Sequence, residues 1–305
     1  MTAFAGALEP RLCPSCRSAR SSILLSEARL DDGALGAFAY SSRKVPELMH
    51  HRLLQCLDCD LVYASPAPNP EELAKAYREA SFDSSEEARS ASFTYDRLVR
   101  RLATGLPPVG GALDIGTGDG AFLERLMAAG FDDVVGIEPS AAPIDAAGPA
   151  ARERIQEGFF DPGRFEAGRF RLVTAFQTLE HVADPGGLCV GAKQVLCRGG
   201  ALLVVCHDRR ALINRLMGRR SPIFDVEHLQ LFSKASLRSL LQRSGLNGVR
   251  CMTFSNRYPL RYWVRLAPLP PAPKAALLGA LRRMHLADIP VTLPAGNIAA
   301  IGYAE

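Results

Sequence analysis

Two groups of residues have types and spacings that suit chemistry, and the first is a glycine-rich run at residues 113–120. Its glycines recur at alternate positions directly after an apolar segment. Glycine lets the backbone turn tightly and lets a ligand lie against it, and the helix that such a loop opens presents free amide groups to the ligand. Asp114 suits the cationic amino end of a ligand such as methionine. Glu138, at the end of the next apolar segment, suits both hydroxyls of a ribose.

The second group comprises two C-x-x-C pairs among the eight cysteines of the chain. Four thiolates form a closed tetrahedral zinc site, which is structural because no coordination position remains for a substrate. In a cytosolic chain this pattern favours metal over disulfides, and a redox dithiol or incidental cysteines are the alternatives. The predicted zinc ligands are Cys13, Cys16, Cys56 and Cys59.

The glycine run alone leaves the ligand open, because with Ala121 it also satisfies the dinucleotide pattern G-x-G-x-x-A. Asp114 stands where dinucleotide enzymes have an apolar residue, and Gly120 adds a third alternate glycine. The run Gln-Thr-Leu-Glu-His-Val-Ala-Asp-Pro at 177–185 is a third distinguishing feature.

Strand-like and helix-like segments alternate from about residue 111 onward, which predicts a parallel sheet with helices on both faces. Strands are predicted at 112–115, 133–137, 154–160, 170–176, 201–206, 249–254 and 298–303. Before them, the polar, helix-prone connector at 64–110 contains Asn69, which can cap a helix that starts at Pro70.

Residues 111–208 resemble the class I S-adenosylmethionine (SAM)-dependent methyltransferases, on the runs at 113–120, 136–140 and 179–185. The resemblance implies a Rossmann-like α/β fold with a seven-stranded, mostly parallel sheet, and SAM as the cofactor. Glu180 and His181 either contribute to the site or brace the turn after strand four. The predicted cofactor-binding residues are Asp114, Gly116, Thr117, Gly118, Glu138, Pro139, Gly158, Phe159, Gln177 and His181.

The cysteine pairs, with the following Asp-Leu-Val-Tyr-Ala-Ser-Pro, resemble the zinc lobe of methyltransferases of natural-product and glycan biosynthesis, including sugar C-methyltransferases. That resemblance assigns Glu227 and His228 as the catalytic pair, with the histidine as base. The tyrosine that those enzymes also use has no counterpart at 81–85, and Tyr77 and Tyr95 lie near that stretch without matching it. His207 and Asp208 either face the substrate or only form a turn.

We therefore expect a zinc-ribbon-like lobe at 1–63, a helical connector or lid at 64–110, and a SAM-binding domain at 111–305. Arginines surround apolar residues at 209–220, which predicts a short amphipathic helix. A second basic, aromatic segment, inserted at about 255–296, is predicted to be a lid, a dimer contact or a peripheral membrane contact.

Composition sets outer bounds on function. The 305 residues are 48% hydrophobic, and the net charge of +4 is too small to indicate a nucleic-acid partner. No apolar run is long enough to span a bilayer, so we expect a cytoplasmic protein, with a membrane-peripheral location as the alternative. The expected function is methylation of a small biosynthetic acceptor, at a sugar, glycan or natural-product hydroxyl or carbon. A membrane contact would imply a lipid-linked or otherwise amphipathic acceptor. The alternatives are an RNA methyltransferase with a zinc module and a non-catalytic SAM-binding partner protein.

Overall fold

The computed structural model describes residues 8–18, 22–31, 39–40, 47–267 and 269–305. Parts of the predicted zinc lobe, at 1–7, 19–21, 32–38 and 41–46, lie outside the described residues. The described strands, in chain order, are β1 (Leu8–Glu9), β2 (Ser22–Ser26), β3 (Leu53–Cys56), β4 (Val62–Ala64), β5 (Ala67–Pro68), β6 (Gly111–Ile115), β7 (Val134–Glu138), β8 (Ile155–Glu157), β9 (Phe170–Phe176), β10 (Leu196–His207), β11 (Gln230–Leu231), β12 (Asn247–Pro259) and β13 (Pro290–Tyr303).

The described helices lie mostly between those strands. In chain order they are α1 (Pro70–Arg78), α2 (Ser85–Leu102), α3 (Ala121–Ala128), α4 (Ala141–Ala146), α5 (Pro149–Arg152), α6 (Pro185–Val195), α7 (Leu212–Met217), α8 (Lys234–Arg243), α9 (Leu260–Leu266) and α10 (Pro271–Arg283). Asn69 caps α1, because its side-chain oxygen accepts a hydrogen bond from the amide of Glu72 at 2.9 Å. The amphipathic helix predicted within 209–220 is α7.

The large sheet has seven strands in the order β12-β13-β10-β9-β6-β7-β8. Strands β6 to β10 pair in parallel, and β13 is antiparallel to both of its neighbours. The predicted mostly parallel, seven-stranded, Rossmann-like fold is therefore confirmed. In such a sheet the loops after the parallel strands meet at one edge, which is where ligands bind.

Alternate residues of the central strand β10 supply two separate hydrophobic cores. Leu202 and Val204 pack on one face of the sheet with residues of α6 and α8. Leu203 and Val205 pack on the other face with residues of α2 and α3. Both faces are thus covered, as the unbroken apolar run in this strand requires. Helix α2, which lies in the predicted connector, contributes buried residues such as Tyr95 to the second core.

A smaller antiparallel sheet joins the N-terminal part of the chain to a distant segment. Its strand order is β11-β4-β3-β2, so the edge strand β11 comes from residues far beyond the other three. Tyr63 pairs with Gln230, and Val62 pairs with Leu231. A separate ribbon, β1 with β5, lies nearby in sequence. The N-terminal part therefore shares a sheet with the segment that follows the predicted catalytic pair.

The segment at 255–296 belongs in part to the large sheet and is not wholly an insertion. Strands β12 and β13 continue their pairing as far as Pro259 and Pro290, and α9 and α10 fill the intervening segment. The third predicted strand is shorter than expected, because Gly158 takes a φ of 131° and ends β8 at Glu157. Among the described residues, no helix is long and apolar enough to cross a membrane.

Candidate functional site

The loop between β6 and α3 has left-handed backbone at three positions, a conformation that favours glycine. Gly116, Gly118 and Gly120 have φ values of 76°, 60° and 72°. A Cβ on Gly116 would lie 2.7 Å from the hydroxyl of Thr178, whereas a Cβ on Gly118 would meet open space. The loop therefore has its predicted tight turn and leaves an approach to the backbone at Gly118.

Two buried carboxylates stand beside this loop. The Glu138 carboxylate accepts hydrogen bonds from the amides of Gly118, at 2.8 Å, and Ser140, at 3.0 Å. Burial raises the pKa of Glu138 to about 7, and the nearby Asp114 and Asp119 add to the rise against the two amide hydrogen bonds. The Asp114 carboxylate accepts a hydrogen bond from the hydroxyl of Thr174 at 2.6 Å.

A cavity of about 720 Å³ opens beside the glycine loop. Every residue that the sequence predicts for the cofactor lines it, and so do both members of the predicted catalytic pair. His207 also lines it, whereas Asp208 does not; Asp208 instead accepts a hydrogen bond from the amide of Arg210. The sheet thus gathers at one cavity side chains that lie more than 100 positions apart in sequence.

His228 has a defined tautomer in this cavity. Its Nδ1 lies 2.9 Å from the carbonyl oxygen of Ile223, and a carbonyl can only accept, so Nδ1 carries the proton. Nε2 therefore holds a free electron pair. Burial lowers the pKa of His228 well below its ordinary value, and the neighbouring His181 and His207 lower it further. The imidazole is consequently neutral at physiological pH.

His181 and Glu227 stand beside His228. The His181 ring centroid is 4.9 Å from that of His228, and a Glu227 carboxylate oxygen is 3.7 Å from Nδ1 of His181. One nitrogen or oxygen atom from each of these three side chains lies within 4.8 Å of the others. The group therefore places two imidazoles and a carboxylate side by side in the cavity wall, and hydrogen bonds to other groups orient both imidazoles.

Tyr77 also contacts this cluster, and the sequence did not predict that contact. Its hydroxyl lies 3.0 Å from Nδ1 of His181 and 3.4 Å from the carbonyl oxygen of Glu227. Burial raises the pKa of Tyr77 well above its ordinary value, with Glu227 adding to the rise, so the phenol stays protonated and donates. The available signal was the i, i+4 spacing of Leu73 and Tyr77, which places both on the cavity-lining face of α1.

Glu180 braces the turn after β9, as one of its two sequence interpretations proposed. Its fully buried carboxylate accepts a hydrogen bond from the amide of His207 at 2.7 Å. Its backbone carbonyl accepts another from the amide of Leu229 at 2.8 Å. Burial alone would raise the pKa of Glu180, but the hydrogen bond and charge of His207 lower it below the ordinary value.

The second wall of the cavity comes from the segment predicted to be a lid or a contact surface. Tyr258, Tyr262 and Trp263 line the cavity, with ring centroids 4.4 Å and 5.5 Å from Tyr258 to the other two. Asn256 and Asn297 add amides to the same wall. The long hairpin therefore forms part of the binding cavity.

The four paired cysteines lie together, as their spacing predicts. The Sγ atoms of Cys13 and Cys59 are 3.5 Å apart, as are those of Cys16 and Cys56, and all four lie within 4.8 Å of one another. All four are free thiols. Zn–S bonds of about 2.3 Å place tetrahedral ligands at about this separation.

The two cysteine turns have the same backbone form. Arg17 and Asp60, which follow the second cysteine of each pair, have φ values of 58° and 64°. Their amides donate to the carbonyls of Cys13 and Cys56, at 2.8 Å and 3.0 Å. Two equivalent turns that aim their thiols at one point fit a tetrahedral cation better than incidental burial of thiols.

A protein-family model described as a methyltransferase domain matches residues 86–250, which is more than half of the chain. The chain belongs to this methyltransferase family. The matched residues therefore form a SAM-dependent methyltransferase domain with the class I, Rossmann-like fold.

Two curated relatives are named ubiquinone biosynthesis O-methyltransferase. That of Caulobacter sp. (strain K31) is 33% identical over 103 residues, which cover 32% of this chain and 40% of the relative. That of Caulobacter vibrioides is 32% identical over 125 residues, which cover 39% of this chain and 48% of the relative. The matches therefore span less than half of each relative. The YcgJ protein of Bacillus subtilis has a similar fold, with a TM-score of 0.51 at 15% identity over 70% of this chain and 99% of that chain.

The cavity of this methyltransferase fits SAM at atoms that need a partner. Among the described residues, the buried Thr117 hydroxyl and the buried Gln177 side-chain oxygen have no hydrogen-bond partner. Gln177 also has a φ of 54°, and such strain concentrates at functional sites. The carboxylates of Asp114 and Glu138 offer negative charge to the cationic cofactor.

The raised pKa of Glu138 predicts that SAM binding depends on pH. The carboxylate loses its charge as the pH falls through about 7, and with it the ability to accept hydrogen bonds from both ribose hydroxyls. If only the ionised form binds, the Kd for SAM rises about tenfold between pH 8 and pH 6. Isothermal titration calorimetry measures this change.

Two variants control that experiment. Glu138→Gln removes the titration and should give a weaker Kd that is independent of pH. Glu157→Gln alters the exposed carboxylate that is Glu138's register partner on β8, and should keep the wild-type profile. A wild-type Kd that stays constant from pH 8 to pH 6 would contradict the assignment of Glu138.

Proposed function

We propose that the protein transfers the methyl group of SAM to a hydroxyl or carbon of a small biosynthetic acceptor, most simply a sugar, glycan or other hydroxylated natural product. His228 is the base. The observation that carries this proposal is the hydrogen bond from Nδ1 of His228 to the carbonyl of Ile223, which leaves Nε2 as a free acceptor in the cavity.

SAM supplies an already activated methyl group, so the protein's task is to align the acceptor, exclude water and take up a proton. Nε2 of His228 accepts the proton of the attacking hydroxyl or carbon. A Glu227 carboxylate oxygen lies within 4.8 Å of a ring nitrogen of His228, and the charge of Glu180 also favours the imidazolium that this step forms. The Tyr77 hydroxyl forms a hydrogen bond with Nδ1 of His181 and so orients the second imidazole.

The aromatic and amide wall supports a hydroxylated ring as acceptor. Tyr258 and Trp263 offer ring faces, and the side-chain oxygen of Asn297 is buried without a hydrogen-bond partner among the described residues. An apolar wall with a few polar groups fixes the orientation of a small ligand. This wall favours the lid interpretation of 255–296, while the dimer and membrane contacts stay predictions.

The relatives' names bear on the atom that is methylated. Two partial matches are to proteins named O-methyltransferases, which favours an oxygen acceptor over a carbon. The neutral imidazole of His228 suits a hydroxyl that loses its proton as the new bond forms. A non-catalytic role as a SAM-binding partner does not account for a buried base in the cofactor cavity.

We further propose that Cys13, Cys16, Cys56 and Cys59 hold one structural Zn²⁺. Support comes from the two equivalent cysteine turns and the sulfur separations of 3.5 Å. With four thiolates the coordination is closed, so the ion stabilises the lobe and leaves no position for an acceptor.

The base assignment predicts a loss of turnover without a loss of cofactor binding. Acceptors are screened by S-adenosylhomocysteine release with nucleotide-linked sugars and with phenols that carry adjacent hydroxyls. On the acceptor found, His228→Asn should lower kcat by a factor of about 10² to 10⁴, which is the usual worth of a positioned base. The Kd for SAM should stay within about twofold.

His285→Asn is the matched control for that substitution. His285 is exposed, has a left-handed φ that asparagine tolerates, and does not line the cavity. It should keep wild-type turnover. Wild-type kcat in His228→Asn would show that another group takes the proton.

The zinc proposal predicts a stoichiometry. Inductively coupled plasma mass spectrometry of the purified chain should find one zinc per chain, and Cys59→Ser should lower that content at least severalfold together with the melting temperature. Cys251→Ser, which changes a cysteine outside the cluster, should keep both values. Zinc content unchanged by Cys59→Ser would overturn the proposal.

A further inference from the structure

The segment that carries His228 (residues 227–232, the catalytic loop) is built into the small sheet of the N-terminal part of the chain (the described residues of 8–64, the cysteine lobe). Directly after His228, the carbonyl of Leu229 accepts a hydrogen bond from the amide of Ala64 at 2.8 Å. Gln230 and Leu231 then form β11, the edge strand beside β4. The lobe therefore reaches the catalytic loop through backbone hydrogen bonds, and a buried side chain adds to them.

That side chain is Arg11, two residues before the first cysteine. Its guanidinium donates to four acceptors on three separate segments of the chain. These are the carbonyls of Ala64 at 2.7 Å, Ala183 at 3.2 Å and Leu229 at 2.6 Å, and the side-chain oxygen of Gln230 at 3.0 Å. The Arg11 backbone is itself fixed, because its amide donates to the Ser65 hydroxyl, which donates back to the Arg11 carbonyl.

Two of the three segments adjoin the histidines of the cluster. Ala183 lies two residues after His181, and Leu229 immediately follows His228. One guanidinium therefore ties the backbone beside each imidazole to the same rigid fork. The two rings that it spans have centroids 4.9 Å apart. A lysine in this place could not reach the same acceptors in fixed directions, because its ammonium is a point charge on a flexible stem.

We propose that Arg11 is a positioning residue for methyl transfer, setting the placement of His228 relative to His181 from within the cysteine lobe. This inference rests on the proposed function, because it takes His228 as the base. It gives the lobe a direct part in catalysis in addition to its own stability.

A second tie from the lobe holds the far end of the same segment. The Asp60 carboxylate, directly after the last cysteine, accepts a hydrogen bond from the Ser233 hydroxyl at 2.6 Å and pairs with Arg209 and Arg210. Ser233 caps α8, and Arg209 follows β10. Arg11 and Asp60, which flank the two cysteine pairs, thus contact the two ends of the chain between His228 and α8.

The exposed Arg17 provides a matched comparison within the same lobe. Among the described residues, its guanidinium forms an ion pair with Asp184 alone, at 2.8 Å. Both side chains are exposed to solvent. Exposed pairs of this kind contribute little. Arg17→Met therefore removes an arginine next to a cysteine turn without touching the catalytic loop.

The test compares Arg11→Met, Arg11→Lys and Arg17→Met by three measurements on the full chain. The first is the Kd for SAM. The second is the ¹⁵N spectrum of labelled histidine side chains at one pH, with the His228 signals assigned by their absence in His228→Asn. The third is kcat and KM with the acceptor found in the turnover screen.

Arg11→Met should leave the Kd for SAM within about twofold and the acceptor KM within about threefold, while kcat falls about 100-fold, since misplacement by about 1 Å has that effect. The His228 signals should lose the pattern of a single Nδ1-protonated tautomer. Arg11→Lys should change kcat and the spectrum in the same direction by a smaller amount. Arg17→Met should match the wild type in every measurement.

The proposal is overturned if Arg11→Met, or Arg11→Lys where the methionine variant does not fold, keeps both the single His228 tautomer and wild-type kcat. It is also overturned if SAM affinity falls as much as kcat, because that marks general damage to the fold. A failure of the base assignment has a different signature. In that case His228→Asn retains turnover, while the tautomer in Arg11→Met still reports whether Arg11 positions the ring.

Discussion

The site depends on one constraint, which is that the chain from His228 to Phe232 must form backbone hydrogen bonds with both sheets at once. The amides of Leu229 and Gln230 donate to the carbonyl of Glu180, in the turn after β9. The carbonyl of Leu229 faces the opposite way, toward Ala64 and Arg11 of the lobe. Phe232 then bridges in parallel to Asp208 at the end of β10. Backbone groups in both directions are thus used, and His228 has little freedom to move.

Burial then sets the chemistry of the groups that this constraint holds. It raises the pKa of Glu138 to about 7 and lowers the pKa of His228 well below its ordinary value, because a low-dielectric cavity disfavours charge of either sign. A neutral histidine is ready to accept a proton. At the other end of the cavity, a cationic cofactor places positive charge next to the carboxyl groups of Asp114 and Glu138.

The sequence predicted the features that local chemistry determines. Alternate glycines, the apolar run of β10 and the Asn69 cap each follow from a few neighbouring residues, and each is present in the structure. The predicted ends of the strands were less accurate, because the lengths of β12 and β13 depend on their pairing with each other. The clustering of the four cysteines followed from their spacing.

Long-range contacts could not be predicted in this way. Tyr77 and His181 are 104 positions apart, and Arg11 and Leu229 are 218 apart. Neither pairing has a sequence signature, because helical spacing places Tyr77 on a face of α1 without naming its partner, and an arginine before a cysteine is ordinarily a surface residue. Only the folding of the lobe against the edge of the large sheet gives those side chains their partners.

The central claim is that SAM and the histidine cluster share one cavity, with the cofactor's reactive end toward His228. A crystal structure with S-adenosylhomocysteine tests it most directly. We expect the ribose hydroxyls on Glu138 and the sulfur open toward the side of the cavity formed by His181 and His228. A complex in which the sulfur faces away from these histidines, with the adenine on their side, would contradict it.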